Sequence, residues 1–559
     1  MTIGYSALST NLNVDGVAVI KGQPVLAATS SNDTSAFRSS TYKTKIKTIT
    51  LEDKINVPDD AVEFWDVSAM QDGRVMAYVI TNPDDSTKYD LYIQGDGSLY
   101  ANQNSSYLFY GMSAVQTINN LKILNTSNVI DMHYMFNSMS SLTSLDLSNF
   151  DTSKVTNMSC MFENMSSLMS LSITNFNTSN VTDMHYMFNN MSSLTSLDVS
   201  NFDTSNVTNM SCMFGNMTKL TSLDISNFDT SKVTDMHYMF NSMSSLTSLD
   251  LSNFDTSKVT NMSCMFENMS SLTSLDLSNF DTSKVTDMHY MFNNMSSLTS
   301  LDVSNFDTSN VTNMSCMFGN MTKLTSLDIS NFDTSKVTDM HYMFNNMSSL
   351  TTLDVSNFDT SKVTNMSCMF ENMSSLMSLS ITNFNTSNVT DMHYMFENMS
   401  SLTSLDVSNF DTSNVTNMSC MFGHMDKLTG LDLSNFDTSK VTDMSFMFGG
   451  MWSLTSLDVS NFDTSNVTNM SWMFGNMDKL TGLDLSNFDT SKVTDMSLMF
   501  FRTDSGTLSI ILNKTQFNSS VSTFNMFGTS PTYTITVNSE ADKTLIDGLG
   551  YSNVTAIVG

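Results

Sequence analysis

The chain has 559 residues, only four prolines and a composition rich in Ser, Thr, Asn, Asp and Met. Its formal net charge of −31 excludes nucleic acid as a direct partner, because phosphate recognition needs a basic surface. No stretch approaches the roughly 18 apolar residues that span a bilayer. Residues 1–28 also lack the charged start and apolar core of a typical secretory signal.

The N-terminal part predicts two units before the repeats begin. Residues 1–40 are polar and weakly patterned, and we interpret them as a leader or attachment segment. Residues 41–104 predict a β-rich N-terminal capping domain. Its strands are expected at three apolar runs: 46–51, 75–80 and 89–93. Residues 105–125 look like a degenerate first coil of the array that follows.

A 26-residue repeat fills residues 105–502. A Met-Phe pair marks each copy, from Met135-Phe136 to Met499-Phe500, which gives fifteen copies without insertion or deletion. Stacked coils require such a strict length, because one extra residue would shift every column of side chains. A single coil cannot bury its apolar face alone, so the sequence predicts a repeat solenoid.

Each coil is predicted to contain a short strand and a helical turn. Leu145 and Leu147 alternate with polar residues, which indicates an inward-facing strand with Asp146 and Ser148 pointing outward. The next apolar residues fall at helical spacing, which predicts a short helix or helical turn. They are Val155, Met158, Met161, Phe162 and Met165. The methionine columns are expected to fill the core.

The repeat L-T-S-L-D-L-S-N-F-D-T-S-K-V-T-D-M-x-x-M-F-x-x-M-S-S resembles the leucine-rich repeats of BspA-like bacterial surface proteins. It resembles more closely the branch with a repeat of this length, found in mycoplasmas and lactic-acid bacteria. The resemblance implies a leucine-rich-repeat-like stack and an extracellular, adhesive or host-interacting role. It offers no catalytic residues to transfer.

The C-terminal residues 503–559 differ from the repeats and are predicted to form a second β-rich cap. Strands are expected at 507–512 and 533–537. Asn525-Met526-Phe527 repeats the marker of the coils once more. The predicted fold class is therefore a repeat solenoid of short strand plus helical-turn coils with β-rich caps at both ends.

Histidine and cysteine recur every 52 residues, in alternate coils. The histidines are His133, His185, His237, His289, His341 and His393, and the cysteines are Cys160, Cys212, Cys264, Cys316, Cys368 and Cys420. Duplication of a two-coil unit explains this pattern. His and Cys are zinc ligands, but no CxxC or HxxxH grouping occurs, so no metal site is predicted. Cysteines of one column would lie about 10 Å apart, too far for a disulfide, which leaves free thiols that could crosslink neighbouring rods.

The candidate ligand-binding surface is the outward acidic, hydroxyl-rich row. Its residues are Asp146, Ser148, Asp198, Asp224, Asp250, Asp276 and Asp302. Stacked like charges would be relieved by a counter-ion or a basic partner. Calcium is an alternative ligand, although no cofactor is predicted because no EF-hand-like loop occurs. Regular hydroxyls, such as those of Thr152 and Thr156, are expected to be solvated.

Two hypotheses for function follow. The first is a non-catalytic, surface-displayed binding or adhesion solenoid that recognises a protein or glycan ligand on a cell surface or matrix, in an extracellular or cell-surface location. The second is a structural spacer or fibre protein, with a phage virion as the alternative location. Self-association is compatible with both. No enzyme is expected, since a residue copied in many coils is a poor candidate for one active site.

Overall fold

The computed structural model describes residues 22–512 and 521–559. Residues 1–21 of the predicted leader lie outside the described residues. The remainder of that segment packs on the N-terminal sheet, where Phe37 is fully buried and Leu26 N–H donates to the Tyr100 carbonyl at 2.9 Å. The predicted boundary at residue 40 therefore does not separate residues 22–40 from the residues that follow.

The N-terminal sheet has five strands in the order β2-β3-β4-β1-β6. Its parallel pairs are β1 with β4 and β1 with β6, and its antiparallel pairs are β2 with β3 and β3 with β4. Three of its strands coincide with those predicted. The elements up to the array are β1 (Ile46–Glu52), β2 (Glu63–Asp66), β3 (Val75–Thr81), β4 (Tyr89–Gly95), β5 (Leu99–Tyr100), β6 (Thr117–Asn119) and β7 (Leu124–Asn125), with 3-10 turns at Ala36–Arg38 and Leu121–Ile123.

Fifteen coils follow, numbered here from the coil of Met135-Phe136 to that of Met499-Phe500. Each coil has two long sides. The Met-Phe side runs through residues 131–139 of coil 1 and its equivalents, and the leucine side runs through residues 142–147 and its equivalents. Both sides face one continuous core, in which each coil contributes a buried Phe ring that stacks on the next. Phe136 and Phe162, for example, have ring centroids 6.0 Å apart.

The Met-Phe sides are joined by a backbone ladder. A parallel bridge links Asp131 to Asn157, and equivalent bridges continue along the whole array. Backbone N–H groups at 132, 134, 136 and 138 donate to carbonyls of the next coil at 2.8–3.1 Å. Of the predicted short helix or helical turn, the helix is therefore wrong: residues 131–500 contain successive turns and no α-helix. Left-handed residues, such as Tyr134 (φ 58°) and Ser138 (φ 62°), direct these N–H groups to the next coil instead of four residues back.

The leucine sides pair only near the two ends of the array. Strands β8 (Ser144–Asp146) and β9 (Ser170–Ser172) pair in parallel, and β10 (Gly482–Asp484) joins the C-terminal sheet. Across residues 173–481 the leucine sides form no regular strand. The predicted alternation of burial nevertheless holds, since Leu147 is buried and Asp146 and Ser148 are exposed. The predicted strand in every coil is thus wrong in its pairing and right in its faces.

A buried threonine in each coil ties the corners together. Thr152 Oγ1 accepts from the Asn177 N–H at 2.8 Å and donates to the Asn177 carbonyl at 2.9 Å. Asn175 Nδ2 donates to the Phe150 carbonyl at 2.7 Å in the same corner. Thr152 is 1 % exposed, so the prediction that its hydroxyl is solvated is wrong. The repeated N-F-D-T segment therefore satisfies backbone groups between coils.

The C-terminal sheet continues the leucine side beyond the last coil. It is entirely parallel, in the order β10-β11-β12-β13. Its remaining elements are β11 (Thr507–Leu512), β12 (Thr532–Val537), the helix α1 (Glu540–Gly548) and β13 (Val554–Val558). The buried Arg502 guanidinium donates to the Leu480 carbonyl at 2.8 Å, and Tyr533 Oη donates to the Phe500 carbonyl at 2.8 Å. These two side chains attach the sheet to the array.

Candidate ligand-binding surface

The acidic row lies on the leucine side, with one Asp from most coils. Every Asp accepts a hydrogen bond from the backbone N–H two residues later, as in Asp224 with Ser226 at 3.1 Å and Asp250 with Ser252 at 2.9 Å. This Asx-type contact fixes the direction of the side chain. The row is uninterrupted over seven coils: Asp198, Asp224, Asp250, Asp276, Asp302, Asp328 and Asp354. Ser172 and Ser380 end it on either side.

Four of the predicted residues border one open groove. The groove has a volume of about 620 Å³ and is lined by Asp, Ser and Leu residues of adjacent coils. Its acidic residues are Asp224, Asp250, Asp276 and Asp302. Leu249 and Leu275 are only partly buried, so the groove has an apolar floor between its carboxylates. Leu223 and Leu301, which also line the groove, are buried, so Leu249 and Leu275 form most of its accessible apolar surface.

The other predicted residues lie elsewhere. Asp198 continues the row one coil before the groove. Asp146 and Ser148 line a separate cleft of about 340 Å³ where coil 1 meets the N-terminal sheet, beside Lys122. Because Ser172 occupies the row in coil 2, Asp146 is not continuous with the acidic residues of the groove.

Local hydrogen bonds keep the row ionised at neutral pH. Hydrogen bonds from the Ser226 hydroxyl and backbone lower the pKa of Asp224, although Asp250 and Asp198 act in the opposite direction. Backbone and side-chain bonds from Ser252 likewise lower the pKa of Asp250. A second acidic row, which includes Asp229, Asp255, Asp281 and Asp307, differs, because Lys232 adds to the hydrogen bonds from Ser231 that lower the pKa of Asp229. The first row therefore presents negative charge at regular intervals.

The histidines and cysteines lie on the Met-Phe side. Each histidine of the six pairs with the Asp two residues before it, with an Nδ1–Oδ1 distance of 2.6 Å. Hydrogen bonds to Asp235 and Cys212 raise the pKa of His237 to about 10. Within residues 22–512 and 521–559, no group of three or more His, Cys, Asp or Glu side chains is placed to hold a metal ion.

The six cysteines are free thiols, and all are buried. Cys160 is 1 % exposed and contacts the Tyr134 side chain of the preceding coil. Burial raises the pKa of the Cys160 thiol to about 12. The prediction that these thiols are available to crosslink rods is therefore wrong, because an accessible thiolate is needed for that reaction.

Among the helices that the structure describes, none has the length and apolar character needed to cross a membrane. No curated protein and no solved structure matches the chain. A family model described as "Mycoplasma protein of unknown function, DUF285" matches it five times in tandem. The matched residues are 103–198, 191–300, 269–372, 348–430 and 423–539. These matches cover more than half of the chain and make it a repeat protein that belongs to this family of unknown function.

Proposed function

We propose that the protein is a non-catalytic binding or adhesion solenoid, displayed outside the cell or on its surface, that recognises a host, cell-surface or matrix ligand through the acidic, hydroxyl-rich face of its leucine side. The groove bordered by Asp224, Asp250, Asp276 and Asp302 carries this proposal. Its carboxylates alternate with serine hydroxyls over partly buried leucines, which provides charge, hydrogen bonding and apolar contact in one surface.

The charge of the groove favours a ligand with a basic surface. A row of aspartates spaced by one coil, about 4.8 Å, would meet Lys or Arg side chains on a partner protein. Repetition over seven coils offers several equivalent contacts, so that weak individual interactions add through multivalency. Calcium in the acidic row is a competing occupant, and it is tested below.

We infer no enzymatic role from the His, Cys and Asp residues of the Met-Phe side. Burial and the raised pKa keep the Cys160 thiol protonated, so it is unsuited to act as a nucleophile. The histidine ring is held by its own aspartate in every second coil, which supports a structural role.

We further propose that the coils are leucine-rich-repeat-like in the BspA sense and that the two terminal sheets are caps. The L-x-x-L-x-L spacing and the buried leucines support the first point. Arg502 and Tyr533, which satisfy carbonyls of the last coils, support the second for the C-terminal sheet. A leucine-rich-repeat-like stack of strands would have its ladder on the leucine side. In this chain the ladder of backbone bridges joins the Met-Phe sides instead.

A structural spacer or fibre, with a virion as its location, is the second candidate. The observation that favours it is the regularity of the array, because the same backbone bonds join successive Met-Phe sides. Fifteen coils at about 4.8 Å each would form a rod on the order of 70 Å. Such a rod could separate two terminal units without binding a ligand itself.

The test measures binding of the full chain to host cells and to immobilised matrix proteins. In the groove variant, Asp224, Asp250, Asp276 and Asp302 are all changed to Asn. In the control, Asp229, Asp255, Asp281 and Asp307 are changed to Asn, which gives the same change in charge on the second acidic row. Asn177 already occupies that second row and makes the same local bond, so the substitution preserves the turn.

We expect the groove variant to bind at least about tenfold more weakly and the control to bind normally. Equal loss in both variants would show that only net charge matters. The spacer would be supported if the unmodified chain binds none of these targets and its spacing function is retained after removal of two whole coils. A rise in unfolding temperature with calcium, abolished in the groove variant, would assign the row to the ion.

A further inference from the structure

The last coils depart from the repeat on their Met-Phe side. The column that carries Tyr134 and Cys160 in coils 1 and 2 carries Phe446 in coil 13 and Trp472 in coil 14. Two neighbouring columns carry polar residues in most coils. One of them carries His424 in coil 12, and the other carries Phe501 in coil 15. These four rings occur once in the chain and are not part of the duplicated two-coil unit.

The four rings form a continuous row across four coils. Ring centroids are 5.1 Å apart for His424 and Phe446, 6.0 Å for Phe446 and Trp472, and 5.5 Å for Trp472 and Phe501. All four side chains are partly exposed, in contrast to the buried Phe stack inside the coils. We call His424, Phe446, Trp472 and Phe501 the aromatic row.

Glycines beneath the aromatic row allow the rings to lie against the backbone. A Cβ at Gly449 would lie 2.9 Å from the Phe446 ring, and one at Gly475 would lie 2.5 Å from Trp472 Cε3. Gly450 has a φ of +75°, and a Cβ there would collide with the His424 ring. In most earlier coils the column of Gly449 carries Asn or Glu. The glycines that accommodate the rings lie in coils 13 and 14, and the column of Gly449 also carries glycine in coils 4 and 8, at Gly215 and Gly319.

Polar side chains accompany the aromatic row in the same coils. In the part of the chain that the structure describes, Oδ1 atoms of Asp426, Asn476 and Asp478 are buried and accept no hydrogen bond. Asp426 and Asp478 occupy the same column in coils 12 and 14, and between them lies Trp452, which is 50 % exposed. Asp478 Oδ1 also lies 4.0 Å from Arg502 Nε. Both Asp426 and Asp478 are partly exposed, so the accessible part of each carboxylate can accept hydrogen bonds from the hydroxyls of a ligand.

We propose that coils 12–15 hold a binding site for a neutral, hydroxyl-rich glycan. The site lies on the Met-Phe side of the array, whereas the acidic groove lies on the leucine side. Sugar rings present C–H faces that pack on aromatic rings, and their hydroxyls donate to carboxylate and amide oxygens. A nucleic acid would be repelled by the net charge of −31. A hydrocarbon ligand would cover the partly exposed carboxylates of Asp426 and Asp478 without offering them hydrogen-bond donors.

The test is affinity electrophoresis of the full chain in gels that contain one of several soluble neutral polysaccharides: a β-glucan, a mannan, a galactan or a soluble chitin derivative. The site variant combines Phe446→Leu and Trp472→Leu. Leu498 occupies the same column in coil 15, so the column accepts leucine. The control combines Tyr238→Leu and Tyr342→Leu, which changes two exposed rings of the same column in the duplicated coils. Circular dichroism checks that both variants fold.

We expect at least one polysaccharide to retard the unmodified chain and the control, and the site variant to lose at least about tenfold in affinity. Tryptophan emission should shift on binding, because two of the three tryptophans lie in coils 13 and 14. No retardation by any polysaccharide overturns the proposal. Equal loss in the control, or loss in the fourfold groove variant alone, overturns it as well. None of these results decides whether the acidic groove binds a basic protein.

Discussion

The two long sides of each coil are held together in different ways. Successive Met-Phe sides share a bridge and regular backbone hydrogen bonds, whereas the leucine sides across residues 173–481 form no regular strand. Cohesion between coils is thus concentrated on one side and at the threonine corner. The other side is free to carry a row of like charges and a groove with partly exposed leucines. The side that joins the coils is therefore distinct from the side that exposes carboxylates and leucine side chains to solvent.

The largest contrast is expected between core residues of the two sides. Phe266 is fully buried, with its ring 6.0 Å from Phe240 and 5.9 Å from Phe292. Phe266→Ala should cost about 3–5 kcal/mol, because it leaves a cavity in the stack. Leu275→Ala, in the groove, should cost about 1–2 kcal/mol, because Leu275 is already partly exposed. Hydrogen exchange around coil 6 measures both costs locally, as unfolding of a long array is not two-state. Equal costs would contradict the comparison.

The threonine corner should respond next most strongly. Thr256 Oγ1 accepts from the Asp281 N–H at 2.8 Å and donates to the Asp281 carbonyl at 2.9 Å. Thr256→Val leaves both backbone groups without this partner and should cost about 1–3 kcal/mol. The matched control is Thr260→Val, at an exposed threonine, which should change stability by less than about 0.5 kcal/mol. Faster exchange of the Asp281 amide in the first variant only is the expected readout. Unchanged exchange of the Asp281 amide in Thr256→Val would show that the threonine corner does not help to hold the coils together.

A pH effect is expected where two acids of the Met-Phe side are neighbours. Burial, and then repulsion from Glu371, raise the pKa of Glu397 to about 7. A raised carboxyl pKa means that the folded state keeps its proton longer. The associated stability is therefore full below the unfolded pKa of about 4 and is lost as the pH rises towards 7. Glu397→Asn introduces the residue found at Asn345 and should raise the Tm at pH 8 by about 1–2 °C, with a smaller gain or a loss at pH 5. The same gain at both pH values would contradict this assignment.

The smallest effect on stability is expected from the leucine side. Changing Asp224, Asp250, Asp276 and Asp302 to Asn should alter the Tm by no more than about 2 °C, since these carboxylates are solvated. At low salt the variant should be the more stable, because repulsion along the row is removed, and the difference should vanish at high salt. Scanning calorimetry at two salt concentrations measures this. A large loss of Tm would mean that the acidic row holds the fold together.

The faces of the leucine side could be predicted from sequence, and the bonding between coils could not. Alternation at Leu145 and Leu147 assigns Asp146 and Ser148 to the outside, because burial follows the pleat whether or not strands pair. Helical spacing on the Met-Phe side predicts a short helix or helical turn, because two successive turns bury side chains at the same intervals as a helix does. Only the left-handed backbone at positions such as Tyr134 distinguishes the two, and neither Tyr nor Cys signals it.

The candidate surfaces, too, could be predicted from sequence only in part. The acidic row is readable from the repeat, and so is its interruption at Ser172. The groove is not, since the alternation of the repeat does not show that Leu249 and Leu275 remain partly exposed. The buried Thr152 was assigned to solvent because Asp-Thr-Ser is typical of turns. The repeat does not predict the aromatic row, because the residues of the row depart from the repeat; single-copy residues such as Phe446 and Trp472 are the signal in the sequence.

The threonine bond between coils bears on how such a chain can change its length in evolution. Thr152 and its equivalents meet the following coil through the same two backbone atoms at successive junctions. Unequal recombination that adds or removes a two-coil unit therefore creates a junction of a type already present. Each such event would alter the reach of the array by about 10 Å without a period of selection for new packing. The length of the array could thus change by recombination alone, while the single-copy coils at the C-terminal end keep their own surface.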